Sequence, residues 1–464
     1  MDLYGLFQAI YGFSILLVPF LAFGIQGAIV KYYPIFTQKG LSNQFLSFTL
    51  ALTTISIGIS TLLLSLIYYV FKDTLFKLFD NFAEVDKNLF TILCLSYILT
   101  YSTVFFYHAV VRYRIVIPDI INTVGLKFFL PSLILITYLG FSNESWFLSI
   151  ILIYFSLVAL ALFIYINKLD SHTWTFNRNI LDRKEYASFF NFMGFSLLNG
   201  LGATLALRLD INMIYAMISK EAVAIYAIII TISNVMEIPA KALNQIASPV
   251  ISSSWANDQH DNIQDVYQKS SLFGLIGGIF LFLVIYFIWV DIIQLMPGKL
   301  KLELGSILMI FSLLSFARIT DLVTGVNSII ISYSKDYKFH MYFLIMLGVV
   351  NVILNYIFLK RFGLVGAAAA TAISYILFNV LKHFFVKIKF GFDLKFGSHL
   401  YVVFSAFISF IIVYFLPLAF QPIINMIIKS MVTTLIFGTL IYLFNPGGEI
   451  QHLAKEYVLK LKRR

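Results

Sequence analysis

Residues 187–250 read ASFFNFMGFSLLNGLGATLALRLDINMIYAMISKEAVAIYAIIITISNVMEIPAKALNQIASPV. The stretch is apolar enough to cross a bilayer twice, yet it carries Arg208, Asp210, Glu237 and Lys241 where hydrocarbon is expected. Charge at that depth costs several kcal/mol, so such residues are read first as functional.

The surrounding chain has the composition of a membrane protein. Of its 464 residues 60% are hydrophobic and 12% charged, with a mean hydropathy of +0.89; an ordinary soluble domain has roughly 25% charged residues. The net charge of +10 is spread over many short loops. It reads as a positive-inside bias and not as a nucleic-acid surface. The single cysteine, Cys94, excludes an intramolecular disulfide and a Cys-rich metal cluster. No metal and no cofactor is expected.

A bilayer core of ~30 Å needs ~20 helical residues, and thirteen apolar runs reach that length: 5–30, 45–71, 88–111, 115–139, 146–167, 187–216, 222–249, 270–292, 304–331, 339–359, 363–386, 398–417 and 423–444. The fold class is therefore an all-α polytopic membrane protein. Pro19, Pro131 and Pro239 lie inside spans, where neighbouring helices must re-satisfy the freed carbonyls. Most of the 33 Lys and Arg fall in one alternate set of loops, which includes the 168–186 loop, the 382–395 segment and the tail. That set is expected in the cytoplasm. With thirteen spans the N-terminus then falls outside, and one helix is expected upstream of Met1. A spacing echo also recurs: Gly5-Leu6-Phe7 precedes Pro19 much as Ala224-Ile225-Tyr226 precedes Pro239. Repeated bundles of this kind suit a transporter.

Polar residues recur along one face of span 222–249 at Asn234, Glu237, Lys241, Asn244 and Ser248, and of span 304–331 at Arg318, Asp321, Thr324 and Ser328. Glu237 with Lys241, and Arg318 with Asp321, are near enough to pair along their own helices. Arg208 and Asp210 are not. Lys127 sits mid-span with no opposite charge one turn away, whereas Lys429 lies close enough to a span end to snorkel. His108, His340 and His383 fall at or near span ends and read as interfacial side chains.

The segment LRLDINMIYAMISKEAVAIYAIIITISNVMEIPAKALNQIASPVISSSWAND resembles the seventh and eighth helices of the polysaccharide flippases. These are the O-antigen (Wzx-like) branch of the multidrug/oligosaccharidyl-lipid/polysaccharide (MOP) exporter superfamily. RFGLVGAAAATAIS at 361–374 and the opening YGLFQAIYGFSILLVPFLAFGIQGAIVKYYP resemble further motifs of that family. The resemblance implies two pseudo-symmetric six-helix bundles plus two extra helices. Here these are a first lobe over 1–167 lacking its first helix, a linker at 168–186, a second lobe over 187–386, an extra pair over 398–444 and a basic cytoplasmic tail at 445–464.

It further implies a flippase of the bacterial cytoplasmic membrane, not an enzyme. Such a protein carries a polyprenyl-diphosphate-linked glycan outward by alternating access for surface polysaccharide (lipopolysaccharide) synthesis. Its partners would be that glycan, membrane lipid, and a glycan polymerase and glycosyltransferases, with no nucleic acid. Lys127, Arg208, Lys241 and Arg318 are then expected at the diphosphate or an acidic sugar, and Asp210, Glu237 and Asp321 at charge balance or ion coupling. A lipid II-type flippase has similar physics, and the sequence separates it poorly; the alternatives of other kinds are a multidrug/cation antiporter of the same superfamily and a membrane glycan polymerase or ligase. Net basic buried charge disfavours the first, and short outer loops disfavour the second.

Overall fold

The computed structural model describes residues 2–112, 114, 116–138, 144–169, 182–295, 303–416, 420–448 and 451. Among them the secondary structure is helical, with no strand. Eleven helices among the described residues are long and apolar enough to cross a membrane. Contacts divide the chain into two compact units, Met1–Ala227 and Ile228–Arg464.

In the first unit α1 (Asp2–Ala22), α2 (Ile25–Gln38) and α3 (Ser42–Leu78) precede the short α4 (Phe82–Lys87). α5 (Leu89–Val110) follows, then α6 (Val116–Asp119), a π turn (Ile120–Val124), α7 (Gly125–Tyr138), α8 (Glu144–Leu169) and α9 (Arg183–Met217). α1 packs against α5 and α9, and α8 against α5. The run expected as one span over 5–30 is broken. Phe23 and Gly24 have φ of 46° and 72°, a left-handed pair that no α-helix continues through. Glycine is required at the second position twice over, because a Cβ there would sit 2.1 Å from the Met193 carbonyl oxygen of α9.

The break leaves carbonyls without helical partners, and α3 supplies them. Ser56 donates to Leu21 O at 2.7 Å and Ser60 to Phe20 O at 2.8 Å. Thr49, Thr53, Ser56 and Ser60 form the buried face of α3, while Ile55, Ile59, Leu62 and Leu66 are exposed on the other. This inside-out pattern suits a helix whose solvent is lipid and whose small hydroxyl residues meet other helices.

The second unit begins within α10 (Lys220–Ser233) and a 3-10 turn at Asn234–Met236. It continues through α11 (Glu237–Ala256), α12 (His260–Leu295), α13 (Leu304–Val323) and α14 (Asn327–Tyr333) to α15 (Lys338–Phe390), α16 (Gly397–Tyr414) and α17 (Pro422–Phe444). Pro239 lacks an N–H to offer Val235, and its ring crowds that carbonyl, which accounts for the tightened turn before α11. The runs expected at 339–359 and 363–386 are two arms of α15, which bends at Gly363 (φ 57°, ψ −139°), a conformation open only to glycine without strain. α17 packs along α12 and against α16.

Gly24→Ala should lower the unfolding temperature of the detergent-solubilised protein, since the left-handed backbone alone costs ~1–2 kcal/mol before the clash with α9 is counted. Differential scanning fluorimetry checks this, and an unchanged transition would contradict the close packing of the α1–α2 turn on α9.

Candidate functional site: a charged network in the second unit

In a 3-10 turn side chains three residues apart eclipse one another, so the turn before α11 points Asn234 and Glu237 the same way. Both reach Arg318 of α13. Its Nη1 lies 3.1 Å from Glu237 Oε1, and its Nη2 donates to Asn234 Oδ1 at 3.1 Å. The guanidinium also lies 4.7 Å from the centre of the Tyr375 ring of α15. Arg318 is only 11% exposed and cannot shed its charge. A carboxylate, an amide and a π face together are what make its burial tolerable. Glu237 serves a second cation one turn along α11, with Lys241 Nζ 3.2 Å from Oε2. Lys241 is 70% exposed, so that pair is screened and adds little stability.

Asp321, on the next turn of α13, accepts from Lys382 of α15 at 3.4 Å. Lys382 is fully enclosed; it also donates to Ser328 Oγ of α14 at 2.7 Å and stands 4.0 Å over the Phe378 ring. Asp321 is 41% exposed, so this pair joins an enclosed ammonium to a partly exposed carboxylate. The five groups bring three formal positive charges and two negative ones onto α11, α13 and α15. Such a surface retains capacity for an anion, because ammonium and guanidinium groups pair with phosphate through charge-assisted hydrogen bonds.

Four expected residues, Glu237, Lys241, Arg318 and Asp321, thus come together. The pairing expected within α13 does not describe them, because Arg318 and Asp321 each find a partner on another helix. Lys382 was read as part of a cytoplasmic segment; the fold instead encloses it. Lys429 is also corrected: it does not snorkel outward but pairs with the buried Asp291 of α12 at 2.9 Å. His108 lies near the end of α5, where it is fully buried and 2.7 Å from the Thr49 hydroxyl.

Asp210 and Lys127 belong to the first unit. Asp210 is buried and accepts a hydrogen bond from the Tyr226 hydroxyl at 3.0 Å, while Lys127 is exposed on α7. The Arg208 side chain lies outside the described residues. Among the described residues no group of three His, Cys, Asp or Glu side chains has the geometry to hold a metal.

Residues 187–357 match the MatE family model. The matched segment carries Asn234, Glu237, Lys241, Arg318 and Asp321 but ends before Lys382. Among solved structures the chain is similar to a lipid II flippase MurJ in an inward closed conformation, at 16% identity and a TM-score of 0.69, covering 96% of each chain. It thereby has the MurJ-like all-helical membrane fold. A structure of a MATE protein in the straight conformation is matched at 14% identity, with a TM-score of 0.49 over 84% of this chain and 87% of that one. The matched family and these neighbours are transporters and flippases, not enzymes. No curated protein sequence matches the chain significantly.

Glu237→Gln should destabilise the protein by about 2–3 kcal/mol, somewhat less than the ~3–5 of a fully buried pair because Glu237 keeps some solvent contact. Lys241→Ala should leave stability nearly unchanged. Thermal unfolding of Glu237→Gln, Arg318→Gln and the double variant checks the pair, and additive losses would mean that it carries no coupling.

Proposed function

We propose that this chain is a flippase of the bacterial cytoplasmic membrane. Its cargo is a polyprenyl-diphosphate-linked oligosaccharide, moved outward by alternating access for surface polysaccharide synthesis. The observation that carries the reading is the cationic excess of the network on α11, α13 and α15. Arg318 is held in fixed orientation by Glu237, Asn234 and Tyr375, and Lys241 projects exposed beside it. A diphosphate carries the dense negative charge such a pair is built to meet.

In this reading Lys127, in the lobe over 1–167, and Arg208, Lys241 and Arg318, in the lobe over 187–386, are the cations assigned to the diphosphate or an acidic sugar. Glu237 and Asp321 balance the cations while the site is empty, and Asp210 serves charge balance or ion coupling. The lobes are 1–167 and 187–386 joined by 168–186. The helix pair over 398–444 accompanies the lipid tail, and the tail at 445–464 is cytoplasmic. A glycan polymerase and glycosyltransferases act before and after transport.

A second reading, a flippase for lipid II, is favoured by the MurJ-like fold and shares the same diphosphate chemistry. A drug-cation antiporter is disfavoured by Arg318 and Lys382, which put fixed positive charge where a cationic drug would need carboxylates.

Depleting the protein should accumulate lipid-linked glycan on the cytoplasmic side, and Arg318→Ala or Lys241→Ala should not restore surface glycan fully. Loss of one charge-assisted hydrogen bond, worth ~1.5–3 kcal/mol, corresponds to a ~10–100-fold weaker hold on the cargo. If Arg318→Ala is inserted normally in the membrane and glycan export continues at the full rate, this assignment fails.

A further inference from the structure

Beside the network, a pocket of about 490 Å³ opens between the end of α13, the final third of α15 and the chain leading into α16. Its polar wall is made by Thr320, Thr324, Asn379, His383, Lys387 and Asp393. Asn379, His383 and Lys387 follow one another at four-residue steps on α15, about 6 Å apart along the axis. They form a ladder of amide, imidazole and ammonium that runs toward the basic end of the helix.

The deepest rung is anomalous. Asn379 is fully enclosed, and neither its amide nitrogen nor its amide oxygen has a hydrogen-bond partner among the described residues. Buried amides are almost always bonded, and this one borders a space large enough for a ligand. At the other end Asp393 is fixed in place. Its backbone exchanges hydrogen bonds with the Gln264 side chain (3.0 and 2.6 Å), and its carboxylate lies 2.7 Å from Lys387 Nζ and 3.8 Å from His383 Nε2. His383 Nδ1 is taken by the Tyr267 hydroxyl at 2.9 Å, which leaves Nε2 as the nitrogen turned toward Asp393. The Lys387 ammonium holds the Asp393 carboxyl below its usual range, and the two sit as a close pair at the pocket mouth. Phe384 and Phe396, each about half exposed, extend the wall toward lipid.

From this graded wall we infer that the pocket binds one glycerophospholipid with a primary-ammonium headgroup, taken from the leaflet on the basic, cytoplasmic side. The phosphate meets Lys387 and His383, the ammonium meets Asp393, and an ester carbonyl of the glycerol region accepts from the Asn379 amide. The acyl chains run out past Phe384 and Phe396. A purely anionic headgroup would set its phosphate against Asp393 without an answering cation. A trimethylated one offers Asp393 no N–H. The mixed-charge mouth therefore selects for the zwitterion that can donate. This site is separate from the glycan reading and stands whether or not that reading holds.

The test is native mass spectrometry of the full chain in mild detergent, titrated with phosphatidylethanolamine, phosphatidylcholine or phosphatidylglycerol. One phosphatidylethanolamine should bind several-fold more tightly than the others. Lys387→Ala should weaken it several-fold, and Asp393→Asn should shift the preference toward phosphatidylglycerol. Asn379→Leu replaces an unpaired amide with an apolar group of similar size, so the protein should fold at least as well while losing the rise in unfolding temperature that phosphatidylethanolamine gives the parent chain. Equal binding of all three lipids, or an unchanged lipid response in Asn379→Leu, would overturn the inference. Asp393→Asn retaining the parent's headgroup preference would overturn it as well.

Discussion

A charge enclosed among membrane helices must be answered within a few ångströms, because lipid offers it nothing. Three pairs in the second unit meet that demand: Arg318 with Glu237, Lys382 with Asp321 and Lys429 with Asp291. They tie α13 to α11, α15 to α13 and α17 to α12. Helix association in lipid lacks the drive of apolar burial that organises soluble proteins, so ionic ties specify which faces meet. Pairs of this kind are not efficient stabilisers, since desolvation consumes most of the Coulomb gain. Their value lies in position: each holds its cation in a fixed orientation between two helices.

The same economy governs the backbone. Where α1 stops at Phe23 and Gly24, hydroxyls of α3 take up the carbonyls. Where Pro239 prevents a regular turn, the resulting 3-10 geometry brings Asn234 and Glu237 onto a common line toward Arg318. An irregularity that costs backbone hydrogen bonding thus becomes the device that aims two side chains. Gly363 does the corresponding work in α15, turning its second arm so that Tyr375 and Lys382 face α13 and α14.

Most of the helical architecture was legible in the sequence, because bilayer thickness fixes span length and hydropathy reports it directly. Helix bounds follow the expected runs closely for 89–110, 397–414 and 422–444. The internal breaks were less visible: Gly24 in an apolar run carries no hydropathy signal, since its necessity comes from α9, far along the chain. Within the site, the stripe of Glu237, Lys241, Arg318 and Asp321 was readable from helical periodicity, but the partners were not. Periodicity reports which residues share a face; it is silent on which face lies opposite. Lys382 was misread for a related reason. It stands close to Lys387 and Lys389, so composition groups it with a basic loop, although its helix continues to Phe390. The signal that distinguishes it is phase, because Asn379 and Lys382 are enclosed while Ile388 is exposed.

In the proposed flippase the charged face of α11 and α13 borders water within the membrane and does not sit sealed in protein or against lipid. Cysteine accessibility tests it most directly, in a background where Cys94 is replaced by serine. Lys241→Cys should react quickly with a charged, membrane-impermeant methanethiosulfonate reagent, while Leu435→Cys on the exposed apolar face of α17 should react slowly or not at all. Equal and negligible labelling at both positions would contradict the account.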